Sequence, residues 1–375
     1  MNRSDLDRNA YMLRGSLTKR GYMRWHHTFQ GVRPDTMETR TFFIDYQLIN
    51  PSLGAEHPIL GQHPYFKKRG MKPSYIMIKA GCYPTAGEAG VQINGFYPVS
   101  SLKTTKNPFI FQTEECFYSE NHISGFVDMI KAEARHRSFL TDAGFMEWDL
   151  EVHKAVAAHM GAIANPLFTA VNALKSFWHG EGIRTFYRGH ISLNGVSYEV
   201  TPESCYGYAD KRWGADFNRP LLHLAASRLT SERTGRQLKH SALVVESCCP
   251  RLFFLPLRRR LFIQLTYMGE DFEFHFTNPH TLSRCKWKVK ETSKRYIWHI
   301  KAQSKNAMIK ISVSCAKAQF MEMRYESPDG KLPVTPLLGG SAGTGTIQIY
   351  RRAAGQFRLL DTLSLKDALC ECQSV

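Results

Sequence analysis

Apolar and polar residues alternate with a period of two along much of this chain. In GFMEWDLEV (144–152), Met146, Trp148, Leu150 and Val152 fall on one face of an extended strand, and Glu147, Asp149 and Glu151 on the other. EDFEFHF (270–276) repeats the pattern with Phe272, Phe274 and Phe276. TFFIDYQLI (41–49), PSYIMIKA (73–80), VQINGFYPV (91–99), TFYRGHISL (185–193), GVSYEVT (195–201), RRLFIQLTYM (259–268), KRYIWHIKA (294–302) and AMIKISVSC (307–315) also favour strands. Asn94-Gly95 and Asn194-Gly195 read as hairpin turns, because Asn-Gly tolerates the positive φ angles of a type I′ turn. Met268-Gly269-Glu270-Asp271 and Pro328-Asp329-Gly330 mark further tight connections. Strands joined by such short turns predict an all-β chain of antiparallel barrels or sandwiches.

One segment departs from the pattern. Residues 154–182 are alanine-rich, and Leu167, Val171, Leu174 and Trp178 stand near helical spacing. This predicts a short helical or irregular crossover at 161–182 between a β domain over 1–160 and a second over 183–355, with 356–375 as a tail. The glycine-rich 337–352 lacks the lysine and the following helix of a phosphate loop, so it reads as a tight turn into a final strand.

Composition narrows the class. The chain has 375 residues, 43% hydrophobic and 22% charged, as expected of a soluble globular protein. Aromatic residues, at 12%, suit strands and apolar pockets. No run reaches about eighteen apolar residues. The polar start, without the apolar stretch of a secretory signal, leads to a cytoplasmic expectation. The nine cysteines form no CxxC pair and no zinc spacing with histidine, so reduced thiols are expected. The net charge of +16 is uneven: 219–310 carries 18 Lys and Arg against 6 Asp and Glu. Arg258-Arg259-Arg260, just before an apolar strand, is either a solvated strand end or an attractor of anionic lipid headgroups, giving peripheral contact with an anionic membrane. No nucleic-acid-binding motif is present, and no nucleic acid partner is expected.

Candidate chemistry concentrates in two stretches, GYMRWHHTFQG (21–31) with FFIDYQLINP (42–51), and FWHGEG (177–182) through 187–217. Asp45 stands alone in an apolar strand, either facing solvent or buried and perturbed. His26 and His27 are adjacent, so a strand points only one of them to a given side; with Arg24 and Trp25 they suit a polar headgroup. His26, Asp45 and His190 are conceivable metal ligands, but no spacing commands one and no metal is assigned. Strand alternation puts Lys211 on the face opposite Asp210 and Arg212 on the same face. Asp210 is then either an ion-paired strut or, with the cation held away, an acid. Trp25, Trp148, Trp178, Trp213 and Tyr208 are core residues or the walls of a chamber.

These stretches resemble tocopherol cyclase, and still more the bacterial tocopherol cyclase-like proteins. The resemblance lies in GYMRW with FFIDYQLINP, in GHISLNGVSYEV, and in Tyr208-Ala209-Asp210-Lys211-Arg212-Trp213-Gly214. It spans most of the chain and is most specific in the last motif. It implies two lipocalin-like antiparallel domains enclosing an apolar chamber. The wider group includes a carotenoid hydratase, hydroxyneurosporene synthase, and fungal cyclisation enzymes. The implied reaction is cofactor-independent cyclisation, hydration or isomerisation of a prenylated or polyene lipid by alkene protonation. It needs an acid kept protonated by burial, rings facing the cation, and exclusion of water. On this resemblance Asp210 is the acid and Tyr208 and His26 its polar partners. Trp25 and Trp213 are cation-facing walls, and Arg24, His27, Asp45, Trp178, His190 and Lys211 complete the substrate site. The plant enzyme's Glu-Gly-Trp-Tyr/Phe is replaced here by Tyr22-Met23-Arg24-Trp25, which sets a tocopherol precursor aside as substrate. The rival reading is a non-catalytic carrier of an apolar lipid in the same fold.

Overall fold

The computed structural model describes residues 7–158, 176–215, 222–248, 251–252, 255–256, 260–275, 284–333 and 335–373. The chain is all-β, as the alternation predicts, and consists mainly of two large antiparallel sheets. The first contains β1 (Tyr22–Val32), β2 (Thr39–Ile49), β3 (Tyr75–Cys82), β4 (Val91–Tyr97), β5 (Lys103–Lys106), β6 (Phe109–Gln112), β7 (Cys116–Ser119), β8 (His122–Met129), β9 (Gly144–Ala158), β10 (Ser176–Leu193), β11 (Val196–Val200) and β12 (Gly207–Gly214). Its order is β4-β3-β2-β1-β11-β10-β9-β8-β7-β6-β5, with β12 bridging β1 and β10. It curls until β4 packs against β8.

After β12 come β13 (His223–Ala226), β14 (Arg228–Ser231), β15 (Ala242–Cys248), a small pair β16 (Arg251–Leu252) and β17 (Leu255–Pro256), β18 (Arg260–Tyr267), β19 (Glu270–Phe274), β20 (Arg284–Glu291), β21 (Arg295–Gln303), β22 (Ala307–Ala316), β23 (Met321–Met323), β24 (Leu337–Ala353) and β25 (Gln356–Gln373). The second sheet runs β19-β18-β15-β13-β25-β24-β22-β21-β20.

Each sheet closes over its own core. In the first, Trp25 meets Phe111 at 5.4 Å, Phe109 at 5.6 Å and Tyr118 at 6.1 Å between ring centres. In the second, Trp298, Ile300, Ile311, Ile347 and Leu363 meet Val245 and Ile263. The central strands β1, β2, β3 and β12 are buried on both faces, one face looking into the first core and the other onto the second sheet.

Several expectations change. Asn194-Gly195 is a tight turn, with both residues at positive φ, but Asn94-Gly95 lies inside β4. The Asn94 amide donates there to the carbonyls of Phe139 and Leu140 and its oxygen accepts from Lys79, bonds a turn would forgo. The 161–182 crossover falls largely outside the described residues, but 154–158 belong to β9 and 176–182 to β10. The change of sheet comes between β12 and β13, not at 161–182, because 183–214 pair within the first sheet. Residues 356–373 are not a tail but β25, hydrogen-bonded to β13, β14 and β24. The glycines of 339–345 sit inside β24 rather than in a turn: a Cβ at Gly345 would lie 1.9 Å from the Ser312 carbonyl oxygen. Cys82, Cys116, Cys205, Cys315, Cys370 and Cys372 are free and buried, and Cys285 is free and half-buried. No described helix is long and apolar enough to cross a membrane.

Candidate active site between the two sheets

Strand register builds the site. On the face of the first sheet that meets the second, Asp210, His26, Asp45, Lys79 and Asn94 stand abreast on β12, β1, β2, β3 and β4. Arg212, Arg24 and Gln47 form the next row. From the second sheet Glu246, His223 and Glu371 stand abreast on β15, β13 and β25. All are buried, Asp45 and Glu246 completely.

Two subclusters result. In one, Asp45 Oδ1 lies 2.6 Å from His26 Nδ1, which Arg24 Nη2 also meets at 2.9 Å; Asp45 accepts from Tyr325 Oη and pairs with Arg24 Nε at 3.0 Å. His26 Nε2 lies 2.7 Å from Thr28 Oγ1. In the other, Asp210 Oδ2 accepts from Tyr208 Oη at 2.8 Å and Trp178 Nε1 at 2.8 Å, with Arg212 Nη2 at 3.3 Å. Arg212 also grips Glu246 through two bonds of 2.8 and 3.2 Å, and His223 Nδ1 meets Glu246 at 2.8 Å. Asp210 Oδ1 is buried and has no hydrogen-bond partner among the described residues.

Electrostatics fix the charge states. Burial pushes the Asp210 carboxyl up, but Arg212, with His26, His223 and Arg24, outweighs it and holds the group at about 2. Asp45 is likewise pushed up by burial and pulled far below the usual carboxylate range by Arg24 and His26. Burial lowers Lys79 to about 7 and raises Tyr208 and Tyr325 well above the ordinary tyrosine range.

The sequence-predicted residues fall into three places. Asp210, Tyr208, His26, Arg24, Asp45 and Trp178 converge between the sheets. Asp210 is buried but ionised, which corrects its expected role as a neutral acid: Arg212 shares its face, as the alternation requires. Asp45 faces no solvent. Trp25, His27 and Lys211 point the other way, into the first barrel. His27 Nδ1 meets Tyr187 Oη at 2.9 Å, and burial and then Lys154 depress its imidazole. Lys211 donates to the carbonyls of Arg8 and Ala10 and lies over the Trp25 and Trp213 rings, each at 5.1 Å; burial lowers it to about 7. Both histidines are therefore buried, because β1 has no wet face. Trp213 stacks on Phe177 at 5.5 Å. His190 is exposed on β10, away from both groups, so it joins neither the substrate site nor any ligand set with His26 and Asp45.

Sequence reasoning missed the second sheet's Glu246, His223 and Glu371, and also Glu181. Within the first barrel Glu181 accepts from Tyr118 Oη at 2.7 Å and pairs with Lys154 at 2.8 Å, and burial raises its carboxyl. A lone glutamate in the apolar run ALVVESC was the available signal for Glu246, of the same kind that singled out Asp45. The expected chamber also differs. The cavity beside Tyr208 measures about 20 Å³, with Thr28, Gln30, Tyr206, Ala225 and Leu369 among its walls. That volume suits one water rather than a polyene. Among the described residues no cluster of three or more His, Cys, Asp or Glu is arranged for a metal.

No family model matches the chain, and no curated protein matches it. Among solved structures it is similar to CghA with Sch210972, at 9% identity and a TM-score of 0.48 over 95% of this chain and 89% of that one. It is also similar to a candidate ATTH from Nitrosomonas europaea, at 10% identity and a TM-score of 0.47 over 96% and 95%. A third is kievitone hydratase from Nectria haematococca, at 10% identity and a TM-score of 0.41 over 98% and 95%.

Proposed function

We propose that this chain is an acid–base enzyme of the cyclase, hydratase or isomerase kind, acting on a prenylated or polyene lipid without a cofactor. The observation that carries the proposal is the convergence on one cavity of two hydroxyl-bearing side chains, each bonded to a separate acid–base group. Thr28 bonds His26, which rests on Asp45; Tyr208 bonds Asp210. A proton passes from His26 through the Thr28 hydroxyl to the alkene, leaving a tertiary cation. Ionised Asp210 is the counter-charge to that cation and takes the proton from the capturing hydroxyl or water. This reverses the donor role the resemblance gives Asp210, and Arg212 is the reason. Trp178 and Tyr208 hold the carboxylate in place and leave Oδ1 open.

The two-pronged Arg212–Glu246 pair favours a second reading, a carrier whose sheets are held together by an ion network. Lipids that co-purify with the native protein, identified by mass spectrometry and supplied back in D2O, separate the two. The enzyme is expected to place deuterium in the product, and Asp210→Asn to lose turnover by about a hundredfold or more while still retaining the lipid. Unchanged turnover refutes the role of Asp210. Lipid retention with no deuterium incorporation by the wild type indicates the carrier.

A further inference from the structure

The outer face of the second sheet is a lysine array. Lys286, Lys301 and Lys310 stand abreast on β20, β21 and β22, followed by Gln348 on β24. The next row is Lys288, His299, Ser312 and Thr346. All four lysines are exposed. Like charges directly opposite one another across strands repel, yet no outward-facing described residue of β20, β21, β22 or β24 in these rows is acidic. The rows line an open groove of about 470 Å³. At the end of this sheet Met268 and Leu359 expose 66% and 54% of their surface. Met268 sits in the β18–β19 turn and Leu359 in β25; the Arg351–Glu270 pair ties β24 to β19 there, and Arg358, next to Leu359, and Arg352 are exposed.

We propose that this face docks on an anionic lipid surface, with the lysines against the headgroups and Met268 and Leu359 entering the interface. Charge complementarity calls for a polyanionic partner, and the exposed aliphatic tips select a bilayer among them. Single-stranded nucleic acid would call for several exposed rings to stack on; here Trp287 lines the groove but is half-buried against the second core, Tyr350 is half-buried under Lys310, and His299 is the one exposed ring in the two rows. The inference stands independently of the proposed reaction.

Co-sedimentation with phosphatidylcholine vesicles, with and without phosphatidylglycerol, tests it. Binding is expected only with phosphatidylglycerol and is expected to weaken with salt. Each lysine near the surface is worth about fivefold, so Lys286→Gln/Lys301→Gln/Lys310→Gln should lose about a hundredfold. Met268→Asp/Leu359→Asp should remove the salt-resistant remainder. A control with the same charge change, Lys67→Gln/Lys68→Gln/Arg69→Gln on another exposed surface, should bind like the wild type. Equal binding to neutral vesicles, an unaffected lysine variant, an equal loss in the control, or tighter binding to an RNA oligonucleotide than to vesicles each overturns the proposal.

Discussion

Replacing Arg212 with methionine tests whether the inter-sheet cluster is held by charge. The guanidinium pairs with Glu246 at 2.8 and 3.2 Å and with Asp210 at 3.3 Å, and lies 3.7 Å from Glu371, all buried. Its removal leaves carboxylates uncompensated in a dry interface, a loss of about 3–5 kcal/mol. Part of this is visible at Asp210. Its carboxyl is held at about 2 against an ordinary 3.8, a linkage of about 2.5 kcal/mol shared among Arg212, His26, His223 and Arg24. Because the folded carboxyl lies below its unfolded value, its contribution is present above about pH 4 and fades as pH falls toward 2. Guanidinium unfolding followed by tryptophan fluorescence should show Arg212→Met weakened by 3–5 kcal/mol at pH 7, with the gap narrowing on acidification. The double variant Arg212→Met/Glu246→Leu should recover part of the loss, since it removes an orphaned charge. A single variant within about 1 kcal/mol of the wild type, or a double variant worse than the sum of its parts, refutes the reasoning.

Two further predictions follow from the same packing. Lys79 is lowered to about 7 from 10.5, so the unfolded chain binds the extra proton between those values. Stability should rise with pH across that window, Lys79 contributing up to about 1.4 kcal/mol per unit beside a like contribution from Lys211, and Lys79→Met should lower the slope by that share in urea titrations; an unchanged slope excludes Lys79 as a source. Gly189→Ala should cost about 1–3 kcal/mol in thermal unfolding, because a Cβ would lie 2.0 Å from the Asp149 carbonyl oxygen at a φ of 144°; an unshifted midpoint would mean that β9 and β10 yield at that point.

What the sequence conveyed depended on where water reaches the sheets. β9 alternates in burial residue by residue, because one face is solvated, and its period was plain. β1 and β12 are buried on both faces, so their polar residues broke no visible pattern and read as dense chemistry without an address. The alternation rule still assigned Asp210 and Arg212 to one face and Lys211 to the other, and that is the geometry found. It left open which face met the second sheet, and so whether Asp210 would be a lone acid or part of a network. The answer required the β13–β15–β25 register, which brings His223, Glu246 and Glu371 together from positions up to 148 residues apart. No local period encodes such a meeting. The glycines of β24 misled for a related reason: their function is to let a neighbouring strand approach, and from one strand alone that looks like a turn. A buried carboxylate is informative only once its counter-charges are known. Asp210 shows how far that reaches, because Arg212, two residues away in sequence, together with His26, His223 and Arg24 holds its carboxyl at about 2 against the upward push of burial.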